Sequence, residues 1–134
     1  MRNYVPCWDK IGISKDRYME LMRFCRQYDE WKMRAASMIG IHGQQMDGQP
    51  HGSSVGDPVY AAAAKRSALL AKIEMVEDCA GTAGGGAWKT ALIMNACRGV
   101  PYSKIPPEFV PTSFRAAFFA ARKEFFLLLD ERRM

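Results

Sequence analysis

The chain predicts an all-α fold, and three observations predict it. Apolar residues recur at three- and four-residue intervals over most of its length. No segment alternates apolar and polar residues with the β-branched enrichment of a half-buried strand. Clusters of Gly, Pro and Ser punctuate the periodic stretches where helices should end. With 134 residues, 49% of them apolar, the chain can build a core and is read as a single helical domain over 1–134.

The first long helix is expected over 14–39. Ser14 is placed to cap it, and Tyr18, Leu21, Met22, Cys25, Tyr28, Ala35 and Met38 or Ile39 fall on one stripe, with Arg17, Glu20, Arg23, Arg26 and Glu30 largely outside it. The stretch GIHGQQMDGQPHGSSVGD at 40–57 has no period and reads as a long loop. Asp57 and Pro58 then open a second long helix, with an acceptor side chain at the cap and proline at the first helical position. Tyr60, Ala63, Ser67, Leu70, Ile73 and Val76 carry it to the neighbourhood of Cys79. These two helices and the 40–57 loop form the expected helical hairpin of 1–80.

Trp88, Ala91, Leu92 and Asn95 outline a shorter scaffold helix that Gly99 can close with a left-handed residue. Pro101 can open one short helical turn at 102–105, which Pro106 and Pro107 prevent from extending. Thr112 or Ser113 is the expected cap of a final long helix ending at 133. The segment 87–133 is therefore a helix-turn-helix-like part.

Between these parts lies GTAGGGAWKTAL at 81–92, which at first glance resembles a phosphate-binding loop. Such a loop places Lys directly after its second glycine, whereas Ala87 and Trp88 separate Gly86 from Lys89 and Thr90. Two extra helical residues would carry the lysine roughly 3 Å along the axis and through more than half a turn. The preceding KIEMVEDCA is charged and helically spaced where a buried strand is required. An interhelical connector is the better reading.

No apolar run approaches the ~18 residues a membrane span needs, and no signal-peptide pattern follows Met1, so a cytoplasmic protein without membrane contact is expected. Cys7, Cys25, Cys79 and Cys97 lack paired ligand spacing, and His42 and His51 sit in the glycine-rich loop, so neither a metal nor another cofactor is expected. The adjacent carboxylates Asp29 and Glu30, and Glu77 and Asp78, point in different directions on a helix and have no His or Cys beside them by spacing. Enzymatic activity is not expected. A formal charge of +5 permits an anionic partner, although its cations are interleaved with acids along the chain.

The last helix is the most informative element. Phe114, Ala117, Phe118, Ala121, Phe125 and Leu128 make one apolar stripe, while Arg115, Phe119, Arg122, Lys123 and Phe126 lie on the other side. Either the helix is buried nearly all round or this mixed face meets a partner. In a helix-turn-helix the last helix enters the major groove by its N-terminal residues. Ser113, Arg115, Ala116 and Arg122 would then lie toward double-stranded DNA, with Lys123 on the same mixed face and Lys104 and Lys89 near phosphates. Arg115 is the best candidate for reading a base edge.

The stretch GVPYSKIPPEFVPTSFRAAFFAARKEFFLLL at 99–129 resembles the C-terminal portion of small phage proteins related to ArpU/RinA-type late transcription regulators, whose tail is similar to region four of sigma factors. FCRQYDEWK at 24–32 and GQPHGSSVGDPVYAAAAKRSALL at 48–70 extend the resemblance over most of the chain. The resemblance implies a phage-type DNA-binding transcription regulator. This chain departs from that pattern in the paired prolines 106–107, in the glycines 84–86 and in the alanines 116, 117, 120 and 121, where more polar side chains are usual.

An alternative of another class is a small protein-binding module or inhibitor that engages a host or phage protein through Phe119, Phe126 and Arg122, because interfaces favour aromatics and arginine together. Helix-turn-helix proteins often read paired half-sites, which leaves a homodimer open.

Overall fold

The computed structural model describes residues 12–45 and 58–134. The protein is all-α, with no strand among the described residues. Helix α1 spans Lys15–Cys25. Ser14 caps it as expected, its Oγ accepting the Arg17 N–H at 3.1 Å from extended backbone. The helix expected to run unbroken to 39 is interrupted: the Gln27 N–H donates to the Phe24 carbonyl at 3.2 Å, a tightened last turn, and α2 (Tyr28–Gln45) starts anew. No glycine or proline marks the break. Conversely, α2 continues through Gly40 and Gly43 to Gln45, so 40–45 are helical where a loop is expected; 46–57, with His51 and Asp57, lie outside the described residues.

Helix α3 spans Pro58–Thr82, with Pro58 at its first position as expected. Its buried positions are Leu69, Ile73, Val76, Cys79 and Ala80. Tyr60 is 77% and Leu70 39% exposed, so the stripe is rotated from the one expected through those residues. A 3-10 turn, Ala83–Gly86, follows, then α4 at Lys89–Arg98. Gly99 closes α4 with φ 71°, its N–H donating to the Asn95 carbonyl and the Val100 N–H to the Met94 carbonyl. Two further 3-10 turns, Tyr102–Lys104 and Pro107–Phe109, lead to α5 at Arg115–Arg132. The scaffold helix, short turn and long terminal helix thus occur in the expected order, and the prolines keep the middle piece at single 3-10 turns.

The chain divides into two compact units. In the unit 28–74, Tyr28, Trp31 and Ala35 are buried on α2 and Leu69 and Ile73 on α3. The Arg66 Nε donates to the Ala35 carbonyl at 3.1 Å, and the Lys72 ammonium lies 5.8 Å from the centre of the Trp31 ring.

The other unit joins 12–27 to 75–134. In it α5 packs on the Ala83–Gly86 turn, on α1 and on α4, and α1 packs on α4. Leu21, Val76, Leu92, Phe118, Phe125, Phe126 and Leu129 are its largest fully buried side chains. Each contributes about 1.5–3 kcal/mol by leaving water.

The glycine run acquires its reason here. Gly84 has φ 59°, and a Cβ built on it would stand 2.7 Å from the Ala121 Cβ, so only glycine lets α5 sit this close. The Glu124 carboxylate accepts the Gly84 N–H at 2.9 Å and holds turn and helix together. The run follows a helix, 72–80 lying inside α3, and Lys89 opens another. It is a connector built for close packing.

Candidate nucleic-acid interface

The two ends of helix α5 have different surroundings. Its C-terminal half is anchored: the Arg17 Nε donates to the Asp130 carboxylate at 2.5 Å, Arg132 lies 3.6 Å from Asp78, and the Arg133 guanidinium stacks 3.8 Å from the centre of the Phe24 ring. Its N-terminal turn stands in solvent, with Pro111, Thr112, Ser113, Phe114, Arg115 and Ala116 all exposed. Phe114, expected on the apolar stripe, is 68% exposed.

The expected cap is also displaced. Thr112 Oγ1 accepts the Phe114 N–H at 3.2 Å, which makes a local turn, and the cap position itself is held by Phe114 without a side-chain bond. The buried stripe of α5 runs through Phe118, Ala121, Phe125, Phe126 and Leu129, shifted from the expected one because α1, α4 and the glycine turn surround the helix on several sides.

That shift dissolves the mixed aromatic and basic face. Phe126 is 1% exposed, with its ring centre 5.0 Å from Tyr18 and 5.0 Å from Phe125. Arg122 is half-buried beside it. The Arg122 Nε donates to Asn95 Oδ1 at 2.7 Å, an Nη donates to the Tyr18 hydroxyl at 2.6 Å, and the guanidinium lies 5.0 Å from the Phe126 ring centre. Asn95 in turn donates to the Val100 carbonyl at 2.9 Å. Arg122 therefore links α5 to α4 and α1 from inside the unit, and its fork is already spent. Phe119 remains half-buried at the surface, edge-on to Phe118 at 5.0 Å.

The other residues expected at DNA are solvent-facing. Ser113, Arg115, Ala116 and Lys123 are exposed on or beside α5, Lys104 ends the first 3-10 turn after α4, and Lys89 opens α4. None of these four cations makes an ion pair among the described residues. Trp88 meets Phe118 at 5.5 Å, which brings the start of α4 to the same end of α5 as Tyr102, 4.9 Å from Phe118. Ala116, Ala120 and Lys123 share one exposed face of α5 by helical spacing. The small side chains of this face leave the helix backbone open to close approach.

Compared with protein-family models, curated proteins and solved structures, the chain matches none. The residues themselves therefore carry the functional argument. One partner of Arg115 escaped the sequence reading: Tyr102, whose ring centre lies 5.5 Å from the guanidinium, comes from the connector. Helical periodicity relates residues within one element and says nothing about a side chain arriving from a turn. Phe24 and Trp31 are buried on two helices where one continuous stripe is expected, Leu69 on a rotated stripe of α3, and Leu129 on α5, which is packed on several sides.

Proposed function

We propose that this protein binds double-stranded DNA through the exposed first turn and outer face of α5 and acts as a phage-type transcription regulator. The observation that carries the reading is that α5, held in the unit by Phe118, Arg122 and Asp130, presents an exposed first turn and an outer face that bear Arg115, Lys123 and small side chains, flanked by Lys104. Lysines free of carboxylate partners suit phosphates, and a helix with alanines on its outer face can lie close to a groove floor. The +5 charge favours the encounter.

The test is binding of the purified protein to random duplex DNA at low and moderate salt, beside the Lys104→Ala/Arg115→Ala/Lys123→Ala variant. Salt-dependent binding lost in the variant supports the reading; indifference to DNA at low salt ends it. The exposed Phe114 next to Arg115 favours a second reading, a protein-binding surface, since aromatics and arginine are enriched at interfaces. Salt-insensitive binding to a protein, lost in Phe114→Ala, would select that alternative.

A further inference from the structure

We infer that Arg115 reads a guanine, and that Tyr102 and Phe119 are the positioning residues that pre-set its guanidinium for this task; the inference rests on the DNA-binding reading above. The guanidinium carbon lies 5.5 Å from the Tyr102 ring centre and 5.3 Å from that of Phe119. Those two rings stand 6.1 Å apart with their planes at 45°. Both are tied to the fully buried Phe118, Tyr102 at 4.9 Å and Phe119 at 5.0 Å. The arginine therefore rests on a fixed aromatic support at the surface.

Such contacts draw on the charge of the guanidinium and occupy none of its N–H donors with an oxygen acceptor. No hydrogen bond or ion pair engages the Arg115 side chain among the described residues, in contrast with Arg17, Arg26 and Arg122, whose forks are occupied. A planar fork already restricted in its rotamers matches two acceptors side by side, which in duplex DNA are O6 and N7 of guanine in the major groove. A phosphate could take the same fork. Position decides between them: Arg115 is the first residue of α5, the part of a recognition helix that reaches base edges, and Ala116 and Ala120 beside it do not hold the backbone away. Lys104 and Lys123 are compact point charges better suited to phosphate. No exposed Asn or Gln on this half of α5 offers the corresponding pair for adenine.

The experiment selects the preferred site from a random duplex library and then replaces each guanine in it with 7-deazaguanine, which lacks only the N7 acceptor. One position is expected to lose about ten-fold in affinity with the wild-type protein. Arg115→Ala should bind the guanine and 7-deazaguanine duplexes equally. Tyr102→Leu should shrink the discrimination and Tyr102→Phe should restore it, with thermal melting of each variant confirming that it is folded. Salt-dependent duplex binding with no guanine sensitive to the replacement would overturn the inference and leave DNA binding standing. Unchanged discrimination in Tyr102→Leu would overturn the positioning role. Absence of duplex binding altogether would mean that the DNA-binding reading has failed first, and this inference with it.

Discussion

Arg122 shows how a single residue changes meaning once its neighbours are known. By spacing it belongs with Arg115 and Lys123, yet its fork is bonded to Asn95 and Tyr18. Arg122→Ala removes both bonds and should cost about 2 kcal/mol in a denaturant titration, and Arg122→Lys should recover little of it because the ammonium lacks the planar fork that spans Asn95 and Tyr18. Gly84→Ala forces a Cβ toward Ala121 at a positive φ and should cost about 1–3 kcal/mol by the same measurement, without touching the exposed face of α5. The buried thiols supply a pH test. Cys25 is held protonated by its hydrogen bond with Cys97 and by burial, and Cys79 is pushed up by burial, both from an ordinary value of 9.0. Below that value both states keep the proton and the contribution to stability is whole. As pH rises above it, the unfolded thiols ionise while the folded ones do not, so stability falls by about 1.4 kcal/mol per pH unit for each thiol held protonated. Melting between pH 8 and about 10 should therefore be shallower in Cys25→Ala than in the wild type, whatever the variant's absolute stability.

At the scale of elements, α5 is held through Phe118, Ala121, Arg122 and Asp130 and presents its first turn to solvent. Phe114 occupies its cap position with φ −78° and ψ 101°, backbone that suits a capping side chain, but a phenyl ring accepts nothing. Phe114→Ser should therefore raise the melting free energy by about 1 kcal/mol. A favourable cap left unused at an exposed helix end is consistent with a contact role for the ring, so loss of DNA or protein binding in the more stable Phe114→Ser variant would separate function from folding. Unchanged stability would mean that Thr112, through its turn to the Phe114 N–H, already satisfies this end. Thr112 and Ser113 are the residue types that prefer a cap, yet the helix starts after Phe114, one turn before Phe118 packs against Trp88 and Tyr102.

For the whole molecule, the expected observable is the salt dependence of DNA affinity. Each lysine that neutralises a phosphate contributes about 0.9 to the slope of log affinity against log salt. Lys89→Ala, Lys104→Ala and Lys123→Ala should each lower that slope by about this amount, and Arg115→Ala should alter sequence preference more than slope. Titrations with fluorescent duplexes at several salt concentrations measure both quantities. Lys32, Lys65 and Lys72 in the unit 28–74 serve as controls, since their substitution should leave the slope unchanged if binding belongs to α5.

The sequence alone determined the all-α class, the cap at Ser14, the start of α3 at Pro58, the closure of α4 at Gly99 and the order of elements at the C-terminal end. These are local: propensity, periodicity, capping and the φ preferences of proline and glycine act within a few residues. Tertiary structure decided the rest. It broke the first helix at Gln27, turned α3 so that Leu69 faces inward, drew Phe126 and Arg122 into the interior and set Arg115 on Tyr102. A helix with apolar or amphipathic residues on most of its surface has no unique buried face until its neighbours are placed, and a polar fork is free or spent according to acceptors distant in sequence.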